Sequence, residues 1–328
     1  MKKIILTAVI TGLLSANAYA GQLQLDVGTD YNGDGDSLTD APINQFGFTG
    51  TLSTSFYEID AQGNLTGVVT DTNKRTSMDA LGFNVLNQTT LSGAAADYLT
   101  SVAGIQPYQY TDVPTQSQID ALNPLGAFND TENFNNVSAG GWGLTFEYEI
   151  TGTLDFVNET TNYNQGSFEA YVYDTATVSA AVAGGATLED AINANKDQVL
   201  RLDVTSSFNN AGGLFVFGDI NFDFNDDGID NDASALAQDF LIDIDTGLTY
   251  YDLWSAGTGT ELTFRLDTNV DPVIPQNSEL VATADGTKVY RQATLDGSVV
   301  FNVPEPSSIA LIGLSLLGFG AVSRKKKA

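Results

Sequence analysis

The chain has 328 residues, of which 42% are hydrophobic and only 16% charged, and 13 Lys and Arg against 41 Asp and Glu leave a net charge of −28. Such acidity repels phosphate backbones and argues against nucleic acid as a partner, while it attracts cations. There is no cysteine and no histidine, which excludes disulfides, thiolate nucleophiles, Cys or His metal ligands and any His-dependent triad.

The first twenty residues, "MKKIILTAVITGLLSANAYA", read as a secretory signal peptide (1–20) for the Sec machinery. Lys2 and Lys3 precede the apolar stretch 4–14, and Ala18 and Ala20 supply the small residues of a cut site. Between 21 and 303 only seven basic residues face forty acidic ones. A body that leaves the cytosol without disulfides must be held by core burial, aided where available by bound ions.

Next comes "DYNGDGDSLTD". Asp30, Asn32 and Asp34 alternate ahead of Gly35, which is the opening half of a calcium loop, and Asp36 supplies a further oxygen. The twelfth place holds Ala41 instead of a bidentate Glu, so a full EF-hand is not expected. Surface turns built from Asp, Asn and Gly are the competing reading. "SFYEIDAQGNLTGVVTD" follows as a hairpin with Gln62-Gly63-Asn64 at its tip. Residues 72–140 read as an irregular insertion, with a brief helix suggested at Ser117-x-x-Asp120.

Period-two alternation then dominates. In "WGLTFEYEIT" Leu144, Phe146, Tyr148 and Ile150 share one face, and Glu147 and Glu149 the other. Two acids on one strand face satisfy the minimum for glycoside hydrolysis, but in so acidic a chain an exposed face explains them equally. Thr187-x-x-Asp190 is a capping-box pattern that predicts a short helix over about 188–195. "VLRLDVT", "GLFVFGDINF" and "ELTFRLD" are further strands. After the second of these, Asp223, Asn225 and Asp227 before Gly228 repeat the calcium half-motif. Trp142, Tyr148, Tyr171, Tyr173, Tyr250, Tyr251 and Trp254 are candidates for stacking on sugar rings, with "TYYDLWSAG" (Tyr250, Tyr251, Trp254) the leading patch; core packing is the alternative. Residues 279–303, with Asp285-Gly286 and Asp296-Gly297, read as a three-stranded meander. The expected fold is an all-β antiparallel sandwich of jelly-roll type with a few short helices.

The chain finishes with three parts. Pro304 and Pro306 keep Val303-Pro304-Glu305-Pro306 extended. Residues 307–323 carry no charge and, as a helix, would cover about 25 Å, enough with snorkelling neighbours for a transmembrane helix. Arg324, Lys325, Lys326 and Lys327 would stay cytoplasmic, leaving the large domain on the outer side of the inner membrane. This ending (304–328) resembles the PEP-CTERM sorting signal. The resemblance implies recognition and processing by an exosortase-like enzyme, transient anchoring in the inner membrane, and delivery to the cell surface or exopolysaccharide matrix; relatives of this kind are linked with biofilm and flocculation.

Together these readings predict an exported, non-enzymatic surface or matrix protein with Ca²⁺ as its one expected cofactor and exopolysaccharide as a partner. A carbohydrate-binding module and a secreted glycosidase are the alternatives.

Overall fold

The computed structural model describes residues 23–39, 45–74, 132, 134, 140–158, 160–210, 213–225, 233–244, 247–255, 263–268, 281–283 and 286–302. The segment 1–20 expected to be a signal peptide, Val303 to Pro306, the apolar span 307–323, Arg324 to Lys327, and the helix suggested near Ser117 lie outside them. Among the described residues no helix is long and apolar enough to cross a membrane.

Eleven strands and four short helices make up these residues. The strands are β1 (Leu23–Leu25), β2 (Gln45–Ile59), β3 (Leu65–Thr72), β4 (Trp142–Asp155), β5 (Thr160–Asp174), β6 (Lys196–Asn210), β7 (Gly213–Ile220), β8 (Leu241–Asp243), β9 (Thr263–Thr268), β10 (Val281–Ala282) and β11 (Lys288–Asn302). The helices are α1 (Thr175–Ala183), α2 (Leu188–Asn195), α3 (Ala235–Asp239) and α4 (Tyr250–Ser255).

The large sheet is antiparallel throughout and runs β10-β11-β2-β3-β4-β5-β6-β7-β9, with an added pairing between β11 and β9. That last pairing closes it. Val299 of β11 lies opposite Phe46 of β2 on one side and Leu266 of β9 on the other. Eight strands therefore form a ring, and β10 extends β11 beyond the end of β9. The expected jelly-roll sandwich is thus corrected to an up-and-down barrel. Each strand of the ring neighbours the next in sequence, with no Greek-key crossing, and closure removes the sheet edges that a sandwich must protect. The insertion 72–140 joins β3 to β4, which are themselves paired neighbours.

Alternation decides which side chains face the interior. Phe146 lies across from Ala170 and that from Leu200, while Tyr148 lies across from Phe168 and that from Leu202. All six are buried, and Phe146 and Phe168 stack with centroids 4.9 Å apart. Their neighbours on the other face, Glu147, Glu169 and Arg201, are polar and partly exposed. A small cap made of β1, β8, α3 and α4 shares the same apolar core through Leu23, Leu25, Phe240, Leu241 and Tyr250. It packs where β4 and β6 begin and β5 and β7 end. At that end α1 and α2 lie against each other, and Val178, Ala191 and Ile192 bury Tyr173.

The expected hairpin is β2–β3, with Gly63 at φ 83° in its turn. The predicted helix over 188–195 is α2, capped by Thr187, whose hydroxyl accepts the Asp190 N–H at 3.1 Å. The three-stranded meander is corrected to two strands. Asp285-Gly286 lies between β10 and β11, but Asp296-Gly297 sits inside the continuous β11 at a register shift against β2. Helix α1 was not legible as such: "TATVSAAVA" has the β-branched look of a strand, and its signals are only the Asp174 cap and the Gly184-Gly185 stop.

Candidate metal centre

The loop 30–36 is built by its own side chains. Asp30 accepts the Gly35 N–H at 3.1 Å and also that of Gly33; Asn32 Oδ1 accepts the Asp34 N–H at 2.9 Å; Asp34 Oδ1 accepts the Asp36 N–H at 3.2 Å; and Asp36 Oδ1 accepts the Leu38 N–H at 2.9 Å. Gly33 and Gly35, at φ 83° and 113°, give the backbone turns that a residue with a Cβ rarely adopts. Short acidic stems thereby hold a tight exposed loop in place.

The chain then brings in a residue that no local pattern announces. Glu132 is wholly buried, and its Oε2 accepts the Tyr31 N–H at 2.8 Å across 101 positions of sequence. Asp34, Asp36 and Glu132 each place a carboxylate oxygen within 4.8 Å of the others. Of the predicted set, Asp34 and Asp36 join this cluster, whereas Asp30 and Asn32 shape the turn beside it. Three acidic side chains at such range repel one another unless a cation or protons intervene.

The second half-motif is only partly within the described residues. Asp223 is buried and its N–H donates to Asn221 Oδ1 at 2.8 Å; Asn225 is exposed; Asp227 lies outside them.

The aromatic candidates separate. Tyr250 is 2% exposed in the core, and Tyr251 meets Phe222 edge-on with centroids 5.2 Å apart. Tyr250 therefore offers no free face, Tyr251 is half-buried, and the side chain of Trp254 lies outside the described residues. Tyr148 points its hydroxyl to Ser53 Oγ at 2.6 Å inside the barrel. Trp142 and Tyr173 instead line a cleft at the capped end, together with Tyr31 of the acidic loop. Burial and then the charge of Asp174 push the Tyr31 phenol above its ordinary value.

Of the two acids Glu147 and Glu149 on the outer face of β4, Glu147 is ion-paired, and so is Glu169 opposite it on β5. Lys196 reaches Glu147 at 2.6 Å and sits 4.1 Å from the Tyr171 ring, while Lys74 reaches Glu169 at 2.7 Å. Burial pushes the Glu169 carboxyl up, but Lys74, the Tyr171 hydroxyl and Ser167 outweigh it and hold it below the usual carboxylate range. That is the reverse of what a general acid needs.

Fold and loop define a class: a closed antiparallel barrel, capped at one end and carrying a glycine-turned acidic loop there. The tail narrows it further. Residues 302–325 match the family model described as the PEP-CTERM protein-sorting motif. This motif marks an exported protein that passes to an exosortase-type processing enzyme. Neither the curated proteins nor the solved structures compared with the chain include a match.

Proposed function

We propose that this protein is a non-enzymatic component of the cell surface or extracellular polysaccharide matrix. A signal peptide delivers it to the Sec machinery, the segment 307–323 anchors it briefly in the inner membrane, and an exosortase-like enzyme then processes it. One observation carries the reading: the sorting motif begins at Asn302, the last residue of the strand that closes the barrel. Processing beyond that residue leaves every barrel strand in place, so the body survives release intact. Neutralisation of Glu147 and Glu169 by lysines supports a binding rather than a hydrolytic role. The test is fractionation of the native host. Replacing Pro304 and Pro306 together by Ala is expected to leave full-length chain in the membrane fraction. Release equal to wild type would refute the assignment.

Calcium belongs to the same reading. Ca²⁺ takes about six to eight hard oxygens, and Asp34, Asp36 and Glu132 offer a charge-matched start with loop carbonyls and water to complete the shell. An acidic barrel cross-linked through Ca²⁺ to acidic polymer would account for adhesion or flocculation. Saturating calcium, at about 100 times its dissociation constant, is expected to stabilise the fold by about 2.7 kcal/mol, a rise in Tm of about 5–10 °C. Glu132→Gln should lose most of that rise. An unchanged Tm between millimolar calcium and EDTA would count decisively against this part.

A further inference from the structure

We propose that the outer face of β6 and β7, near the turn that joins them, is where two copies of this chain pair in a symmetric dimer. Leu214 and Val216 of β7 are buried in the barrel, so Phe215 and Phe217 between and beyond them lie on the outside. Phe208 of β6 stands directly across from Phe215 and shares its face. Phe208 is 59% exposed, and Phe215 and Phe217 are half-buried. The outer face nearer the capped end is different, since there β4, β5 and β6 present Glu147, Glu169 and Arg201. A group of rings on the wet side of a sheet marks a contact surface.

The charge map selects the occupant. From Val204 to Gly218, and on the neighbouring β5 from Thr160 to Phe168, no residue is charged. The exposed neighbours are amides and hydroxyls, among them Asn162, Gln165, Thr205 and Ser206. Charge returns at the margins: Asp203 and Asp219 lie toward the capped end, and β9 places Arg265 and Asp267 across from Phe217 and Phe215. Two chains of net charge −28 repel wherever their acids approach. Here neither copy brings a charge to the centre, so the two can come into contact. An aromatic, charge-poor centre with a polar surround is also the composition of an interface core. A basic partner would be drawn to the acidic capped end instead. In an isologous pair the face has only to complement itself, with the two Phe208 rings near the axis. The barrel wall is convex, which keeps the contact at the low end of specific interfaces, below about 1,200 Å², and the affinity in the micromolar range. The inference stands apart from the calcium reading.

The experiment is sedimentation of the purified full-length chain in EDTA, with a mild detergent to shield the apolar span 307–323, over about 1–200 µM. A monomer–dimer equilibrium is expected. Raising salt from about 0.02 to 0.5 M should tighten it, because salt screens the repulsion between the acidic remainders and leaves the neutral contact alone. Phe208→Asp sets like charges face to face and should weaken the dimer about tenfold or more. Phe156→Asp, at a ring that is 48% exposed but outside this face, should leave it unchanged. If Phe208→Asp lowers the Tm, Ser206→Asp, on the same face opposite Phe217, decides in its place. A monomer throughout, a dimer loosened by salt, a dimer that survives the aspartate, or equal loss in Phe156→Asp overturns the proposal. So does a monomer that binds cellohexaose through Phe208, which would give the face to a neutral glycan. Because calcium is absent, these outcomes are independent of the metal loop.

Discussion

Gly166 shows how single residues set the barrel's curvature. It lies opposite Ile150 at φ 106°, two residues before the core residue Phe168, and beside the shift that leaves Asn164 unpaired between Thr151↔Gln165 and Gly152↔Tyr163. A Cβ at Gly166 would run into the carbonyl oxygen of Glu149, and one at Gly152 into that of Asn162. These glycines let two backbones pass closely where the bulge bends the sheet. Gly166→Ala is expected to cost more than about 3 kcal/mol in denaturant unfolding. Gly63→Ala, also at positive φ but in open space, should cost only about 1 kcal/mol. Equal losses at the two sites would remove the close-approach argument. The same scale marks a limit of sequence reading. The turn chemistry of Asp30 to Asp36 is written locally, but Glu132 lies about a hundred residues away, in "NDTENF", with nothing to distinguish it from other acids.

At the scale of elements, closure rests on β11. It pairs with β2 from Lys288 to Val300 on one side and with β9 from Gly297 to Asn302 on the other. Val299, fully buried and held in both ladders, is the sensitive point. Val299→Pro removes a ladder donor and is expected to prevent a cooperative native fold, seen as loss of a sharp thermal transition. A chain ending at Asn302 keeps every ladder and should unfold at the Tm of the full-length protein. A large drop on that truncation would mean that the sorting tail supports the barrel. The alternation of β4, β6 and β7 was legible because one face of each strand is buried and the other solvated. The continuity of β11 through Asp296-Gly297 was not, because an Asp-Gly pair reads as a turn until two flanking strands hold it extended. Likewise α1 is fixed by its seat on β5 and α2 rather than by helix propensity.

For the whole molecule, the excess of acid shapes the response to pH. Glu169 and Asp174 are both held below the ordinary carboxylate range: burial raises each, and hydrogen bonds from Lys74 and Tyr171, or from Thr177 and Tyr31, more than reverse it. Their contribution is present above the unfolded value of about 4 and is lost as pH falls through the folded value. The buried phenols act at the other limit. Burial, then the Asp71 charge, raises Tyr148 and Tyr163, and burial alone pushes Tyr173 up to about 12. Stability from these groups is present below the unfolded value of about 10 and is lost as pH rises beyond it. Tm should therefore be level between about pH 5 and 9 and fall on both sides, with the share of phenolate absorbance that belongs to Tyr148, Tyr163 and Tyr173 appearing only as the barrel opens. Ionisation of all thirteen tyrosines near pH 10 in the folded protein would contradict the buried placement.

The sequence by itself determined what depends on local pattern: export, the address carried by the C-terminal segment, antiparallel strands with one wet face, and an acidic loop turned by glycine. These follow from hydropathy, alternation and turn chemistry, which act within a few residues. Only the tertiary structure decided that the strands close into a barrel, that Glu132 reaches Asp34 and Asp36, that Tyr250 is core, and that Trp142 and Tyr173 border a cleft. Each of these is a meeting of residues far apart in sequence. It is settled by which strand edges pair and which faces bury together, and that information becomes physical only when the ring shuts between β11 and its neighbours.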